Sequence, residues 1–218
     1  MSEWVDWHNG YTPGSPLSQR LEVVQQLTRE ALDRCAPGRI RVISLCAGDG
    51  RDLLGVLDTH PRAVDVDAML VELDPDLAEG ARSRAAQMSA TIEVVTGDAS
   101  STSIYAGAVP ADIVLACGIF GNVTDDDIHN TVEHLPSLCA PNATVIWTRG
   151  TFAPDVTPTI RGWFVGAGFA ELAFVAIPKT TVGVGADQLT GPAHPYHPGV
   201  RLFTFLAGDE RASRRGVR

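Results

Sequence analysis

Residues 40–54, IRVISLCAGDGRDLL, change backbone type twice within a short span. Ile40, Val42, Ile43 and Leu45 form a β-branched, apolar run that predicts a strand buried in a sheet. Ala47-Gly48-Asp49-Gly50 is too small and flexible to continue it. Leu53, Leu54, Val56 and Leu57 then recur at helical spacing. Strand, glycine turn and helix form the first unit of a doubly wound sheet, and ligands lie over such turns at the carboxyl edge. Without a Cβ, Gly48 and Gly50 permit positive φ and close approach of backbone to ligand. The free amides that open the following helix favour negative or polar groups there.

Two common glycine motifs fit poorly. A dinucleotide fingerprint needs a third glycine where Leu53 stands, and a phosphate-cradling P-loop needs a lysine, whereas the single lysine of the chain is Lys179. Ser44-Leu45-Cys46-Ala47-Gly48-Asp49-Gly50 instead resembles motif I of the class I S-adenosylmethionine-dependent methyltransferases, acid-x-Gly-x-Gly-x-Gly. Ser44 replaces the acid and Cys46 the first glycine. The resemblance implies an α/β, Rossmann-like fold: a seven-stranded, mostly parallel sheet with helices on both faces and the last two strands an antiparallel pair. It also implies that S-adenosylmethionine lies against Cys46, Ala47, Gly48, Asp49 and Gly50. The family acid helps hold the methionine amino group, so that contact is open at Ser44.

Further along, Ala68-Met69-Leu70-Val71-Glu72 is an apolar strand closed by an acid, 22 positions after Gly50. That is near the offset at which a ribose-binding carboxylate follows a glycine turn. It resembles the family's post-I motif, which puts Glu72 on the ribose hydroxyls and Leu73 beside the cofactor. Ile92 to Ala99 resembles motif II and implies that Asp98 accepts from the adenine amino group while the Ala99 amide meets the adenine ring. After the strand 111–117, Cys117 and Gly118 fall where the family's chain passes beside the sulfonium, with Phe120 expected as a floor beside the methyl. Nucleobase amino-methyltransferases carry Asn/Asp-Pro-Pro-aromatic here, and Cys117-Gly118-Ile119-Phe120-Gly121 does not match. Metal-dependent catechol-type relatives place an aspartate where Cys117 stands, so no catalytic metal is expected. Strands are also expected at 143–148, with Arg149 at the ligand edge as a substrate contact, at 171–177 and at 202–206. The segment 178–200, rich in glycine and proline, is expected to be a loop.

Upstream, the helix expected over 18–35 carries Arg20, which the resemblance implies can meet the cofactor carboxylate. Trp4, Trp7, His8 and Tyr11 would share one face of an N-terminal helix. That face is read as a lid, with Trp4, Trp7 and Tyr11 touching substrate and His8 the candidate general base. The alternative is a helix that only packs on the core.

Length and composition bound these readings. At 218 residues with 44% hydrophobic content, residues 1–208 are expected to form one domain, the lid spanning about 1–36 and 209–218 a flexible tail. A formal charge of −9 disfavours nonspecific nucleic-acid binding. No stretch reaches the ~20 apolar residues of a membrane span, and the acidic start lacks a signal-peptide pattern, so the expected location is cytoplasmic. Cys35, Cys46, Cys117 and Cys139 are scattered, suggesting neither zinc site nor disulfide framework. The expected activity is metal-independent methyl transfer from S-adenosylmethionine to an oxygen or nitrogen of a small-molecule acceptor. Cofactor binding without catalysis, and a nucleotide-dependent oxidoreductase on the same scaffold, stay open. The sequence names neither the acceptor nor the oligomeric state.

Overall fold

The computed structural model of the protein describes residues 10–210. Helix α1 (Pro16–Arg34) begins where the Ser15 side chain accepts from the Ser18 amide at 3.1 Å. Pro16 fits the first turn because an amide there needs no intrahelical partner. Then follow β1 (Ile40–Leu45), α2 (Arg51–Leu57), β2 (Val66–Glu72), α3 (Pro75–Ala85) and β3 (Thr91–Thr96). The second half holds β4 (Ala111–Ala116), α4 (Asp125–His134), β5 (Cys139–Gly150), α5 (Thr157–Gly166), β6 (Phe169–Ala176) and β7 (Val182–Leu189).

All seven strands join one sheet in the order β3-β2-β1-β4-β5-β7-β6. β1 to β5 pair in parallel, and β7 runs antiparallel to both β5 and β6. Strand alternation divides the core into two layers. Ile43, Leu45, Val71, Val114 and Trp147 pack on one face. Val42, Leu70, Ile113, Leu115 and Ile146 pack on the other. Burial on both faces explains why these strands are near-continuous apolar runs. The chain winds outward from β1 toward β3 in one direction and from β4 toward β5 in the other. A crevice therefore opens beyond the carboxyl ends of β1 and β4, where ligands bind in open α/β sheets.

The architecture agrees with the expected fold class, but the last strand lies elsewhere. Residues 202–206 are not a strand. The Leu202 amide donates to the Ser100 carbonyl at 2.7 Å and the Leu206 amide to the Asn122 carbonyl at 2.9 Å, so this segment crosses the carboxyl edge of the sheet. The strand is Val182–Leu189, inside the stretch expected to be a loop. Its glycines serve packing rather than turning. A Cβ on Gly185 would come within 2.2 Å of the Trp147 ring, and one on Gly183 within 2.7 Å of Phe174. Glycine in a strand marks such close approach as readily as it marks a loop. The lid helix is tested only at its end: residues 10–15 are not helical, and Trp4, Trp7 and His8 lie outside the described residues, as do residues 211–218.

Candidate functional site

The glycine turn is built by left-handed backbone at three alternate positions. Cys46 has φ 52°, Gly48 φ 57° and Gly50 φ 77°. The Ala47 amide donates to the Val71 carbonyl at 2.9 Å, tying the turn to the end of β2. Glu72 reinforces the tie. Its carboxylate accepts from the Gly48 amide at 2.7 Å and from the Asp74 amide at 2.8 Å. One oxygen is used by each amide, and each carboxylate oxygen has a second lone pair for a ligand.

Beside Glu72, the end of β3 brings Asp98 to the same edge. One Asp98 oxygen accepts from the Ser100 amide at 2.9 Å and the Ser100 hydroxyl at 2.6 Å, and Arg201 stands 3.4 Å from the other. Burial alone would raise the Asp98 pKa, but the two Ser100 hydrogen bonds and the Arg201 charge outweigh it and hold the carboxyl below its usual range. Among the described residues, no protein acceptor meets the Ala99 amide. At the end of β4, Gly118 has φ 76°, and its amide donates to the Thr148 hydroxyl at 2.8 Å. Asn122 folds back to donate to the Gly118 carbonyl at 2.6 Å.

Helix α1 supplies the opposite wall. Arg20, only 5% exposed, donates to the Tyr11 hydroxyl at 2.5 Å and pairs with Asp52 of α2 at 3.4 Å. The Tyr11 ring also carries the Arg51 guanidinium 4.0 Å from its centroid. Burial pushes the Tyr11 phenol far above its ordinary pKa, and it does the same for the Cys46 and Cys117 thiols. These groups are therefore neutral, and neither cysteine is an activated nucleophile.

Together these parts enclose a cleft of 350 Å³. Of the residues assigned to the cofactor from sequence, Arg20, Cys46, Ala47, Gly48 and Glu72 line it. So do Leu73, Asp98, Ala99, Cys117 and Gly118. Asp49 and Gly50 do not. Asp49 turns to the Arg51 side chain, at 2.7 and 2.8 Å, and to Arg84 at 3.6 Å, and it braces the turn from behind. Gly50 faces Leu54 and Leu70. Tyr11 lines the cleft, as expected of a substrate-side residue. Phe120 lines neither this cleft nor its neighbour: its side chain is fully buried against Trp147, ring centroids 5.9 Å apart. Phe203 and Phe205, read in the sequence as strand residues, supply aromatic wall instead, and Asp52 and Asn122 were not expected at all. The signal available for Asp52 was its position, an acid in the first turn of α2, where the helix N-terminus favours negative charge.

A second cavity of 290 Å³ adjoins the first and shares Arg20, Gly118 and Asn122 with it. Arg149 lines this one, 3% exposed, with the Phe152 ring centroid 4.6 Å from its guanidinium carbon. Among the described residues, no three His, Cys, Asp or Glu side chains gather as a metal site, and no helix is long and apolar enough to cross a membrane.

No family model and no curated protein matches the sequence. Solved structures do match the fold. An O-methyltransferase family protein from Burkholderia thailandensis superposes with a TM-score of 0.63 at 20% identity, over 80% of this chain and 57% of that one. The CurJ carbon methyltransferase gives 0.61 at 15%, over 78% and 54%. Magnesium protoporphyrin IX methyltransferase from Synechocystis PCC 6803, solved with bound S-adenosylmethionine, gives 0.64 at 14%, over 86% and 91%. The chain thus spans little more than half the length of the first two and nearly all of the third. It has the Rossmann-like fold of the class I methyltransferases, which its motifs resemble.

Proposed function

We propose that this protein is an S-adenosylmethionine-dependent methyltransferase acting on an oxygen or nitrogen of a small-molecule acceptor without a catalytic metal. One observation carries the reading: the glycine turn, Glu72, Asp98-Ala99 and Gly118, at the carboxyl ends of four adjacent parallel strands, line a single cleft. The donor set fits the cofactor along its length. Glu72 would take the ribose hydroxyls, Asp98 and the Ala99 amide the adenine, and Arg20 the carboxylate. The chemistry such a cofactor supplies is an electrophilic methyl on a sulfonium, with a neutral thioether as leaving group.

What remains for the protein is to align the nucleophile, exclude water and take a proton where the nucleophile carries one. Tyr11, held between Arg20 and Arg51, supports a role for the N-terminal segment in covering the cleft. Trp4 and Trp7 are proposed to extend that cover and His8 to act as base. Cys117, a neutral thiol in the place of a metal-binding aspartate, supports metal independence. The charge of −9 supports a small acceptor over nucleic acid. Four free cysteines fit a cytoplasmic setting.

Binding of S-adenosylhomocysteine, measured by calorimetry in EDTA and compared with NADH, tests the reading. The expected result is S-adenosylhomocysteine binding without NADH binding. Leu53, buried in the core at the third-glycine position, argues against the dinucleotide. Glu72→Ala should weaken the affinity about tenfold or more, the loss of a charge-assisted hydrogen bond. Because Glu72 also braces the turn, a 2′,3′-dideoxy analogue serves as control: it should bind the parent more weakly than S-adenosylhomocysteine does, and bind Glu72→Ala equally. Unchanged affinity in Glu72→Ala overturns the assignment.

A further inference from the structure

We propose that Asp52 receives the ammonium group of the cofactor's amino-acid end, so that this end is held by helices α1 and α2 rather than by the close of β1. The inference rests on the methyltransferase reading and deepens it at one residue. In the motif that the glycine turn resembles, an acid helps hold that ammonium; here Ser44 stands in its place. Ser44 is 5% exposed and lines neither cavity. A hydroxyl also carries no charge to balance a cation, so the ammonium needs another partner.

Four acids line the cleft: Asp52, Glu72, Asp74 and Asp98. Three of them are engaged at the ends of their own elements. Glu72 accepts from the Gly48 and Asp74 amides. Asp74 caps α3 by accepting from the Asp76 and Leu77 amides at 3.0 and 3.2 Å. Asp98 accepts from Ser100 and pairs with Arg201. Asp52 is the one of the four that stands beside Arg20, the guanidinium assigned to the cofactor carboxylate, 3.4 Å from its Nη2. That contact is long for a charged hydrogen bond, and a carboxylate offers about four acceptor sites. Asp52 therefore has the capacity to keep Arg20 and take an ammonium as well.

The charge pattern and the place agree with this role. An α-amino acid carries its ammonium and carboxylate on one carbon, and Arg20 and Asp52 present the two opposite charges side by side. Arg20 and Arg51 both line the cleft, so an ammonium brought there without a carboxylate at hand meets repulsion. Such interactions gain strength as solvent is withdrawn, and the Arg20 and Asp52 side chains are only 6% and 15% exposed. A Cβ on Gly118 would lie 3.8 Å from Arg20 Nη1, which puts this guanidinium at the end of β4. Glu72 closes β2 and Asp98 follows β3, two and three strands away in the sheet. The amino-acid end of a ligand is thereby held apart from its ribose and adenine.

The test is calorimetry on the full-length protein with three ligands. They are S-adenosylhomocysteine, its deaminated analogue, which keeps the carboxylate, and 5′-methylthioadenosine, which lacks the amino-acid end. The parent should bind S-adenosylhomocysteine about tenfold or more tightly than the deaminated analogue. Asp52→Asn should lose about that factor for S-adenosylhomocysteine, while the other two ligands bind no more weakly than they do to the parent. The analogue separates contact from support. If Asp52 acted only by holding Arg20, the analogue's carboxylate would lose its partner too, and both ligands would weaken alike. That outcome overturns the proposal. So does unchanged S-adenosylhomocysteine affinity in Asp52→Asn, or equal affinity of the parent for the aminated and deaminated ligands. Should Asp52→Asn fail to fold, Asp52→Glu, which shifts the carboxylate, takes its place: it should weaken S-adenosylhomocysteine and spare the analogue, and the absence of that selective loss overturns the proposal. A protein that binds none of the three ligands removes the methyltransferase reading itself. One that binds S-adenosylhomocysteine and its deaminated analogue equally keeps that reading and loses this inference.

Discussion

Cys46 occupies a glycine's backbone without being glycine. Its φ of 52° lies in the left-handed region, where a side chain costs about 1–2 kcal/mol. The substitution that departs from motif I in the sequence has thus left the shape of the turn in place. Gly50 has no such latitude. Besides φ 77°, a Cβ there would lie 2.7 Å from Leu54 and 2.9 Å from Leu70, both fully buried. Gly50→Ala should lose about 2–4 kcal/mol, from left-handed strain and overpacking together. Urea unfolding checks this, and a loss under 1 kcal/mol would mean that the turn reshapes freely. Turn residues of this kind were legible in the sequence because their constraint is local: small residues end an apolar run. Asp49 shows the limit of that reading. Its place in the motif suggested the ligand, yet Arg51 and Arg84 hold its carboxylate behind the turn. Which way a side chain leaves a turn depends on cations that other elements bring to it.

Among the elements, α1 lies outside the motif series; the resemblance put Arg20 at the cofactor but did not show its pairing with Asp52. The helix carries Arg20 to Asp52 across 32 positions of sequence, and no periodicity predicts where a helix will set one arginine down. Once docked, α1 makes the polar wall of the cleft from Arg20, Asp52 and Tyr11. The strands' share was readable because Glu72 and Asp98 end their own strands and need only the sheet to bring them together. β7 was not readable, since the glycines that let Trp147 and Phe174 lie flat on it look like loop residues. The Tyr11 contacts give a prediction at this scale. A cation–π contact with Arg51 and a hydrogen bond from Arg20 hold Tyr11 over α2. Tyr11→Ala should raise the dissociation rate of S-adenosylhomocysteine about three- to tenfold, from loss of about 0.5–1.5 kcal/mol. Tyr11→Phe, which keeps the ring, should do less. Stopped-flow displacement measures both, and equal rates in all three proteins would remove Tyr11 as part of a cover.

For the molecule as a whole, acidity is set against burial at one carboxylate that does not line the cleft. Asp187 on β7 is 1% exposed and accepts from the Trp147 indole N–H at 2.7 Å. Burial pushes its pKa up to about 6; the Trp147 hydrogen bond opposes the shift, Glu171 across the β6–β7 pair adds to it, and Arg161 reduces it. The folded protein therefore holds this proton more tightly than the unfolded chain, whose aspartate titrates near 3.8. Stability from this group is fully present below about pH 4 and is lost as the pH rises through about 6. At pH 8 the loss is on the order of 2–3 kcal/mol. Asp98, whose pKa is lowered, acts in the opposite sense: its contribution is present at neutral pH and lost on acidification. The two are separable by substitution. Asp187→Asn keeps an oxygen for Trp147 and cannot ionise, so it should unfold at higher urea than the parent at pH 8. That advantage should shrink through pH 6 and vanish by pH 4. A stability difference that stays constant from pH 4 to pH 8 would show that Asp187 ionises in the folded sheet as readily as in water, and the pH dependence would then belong to the other carboxylates.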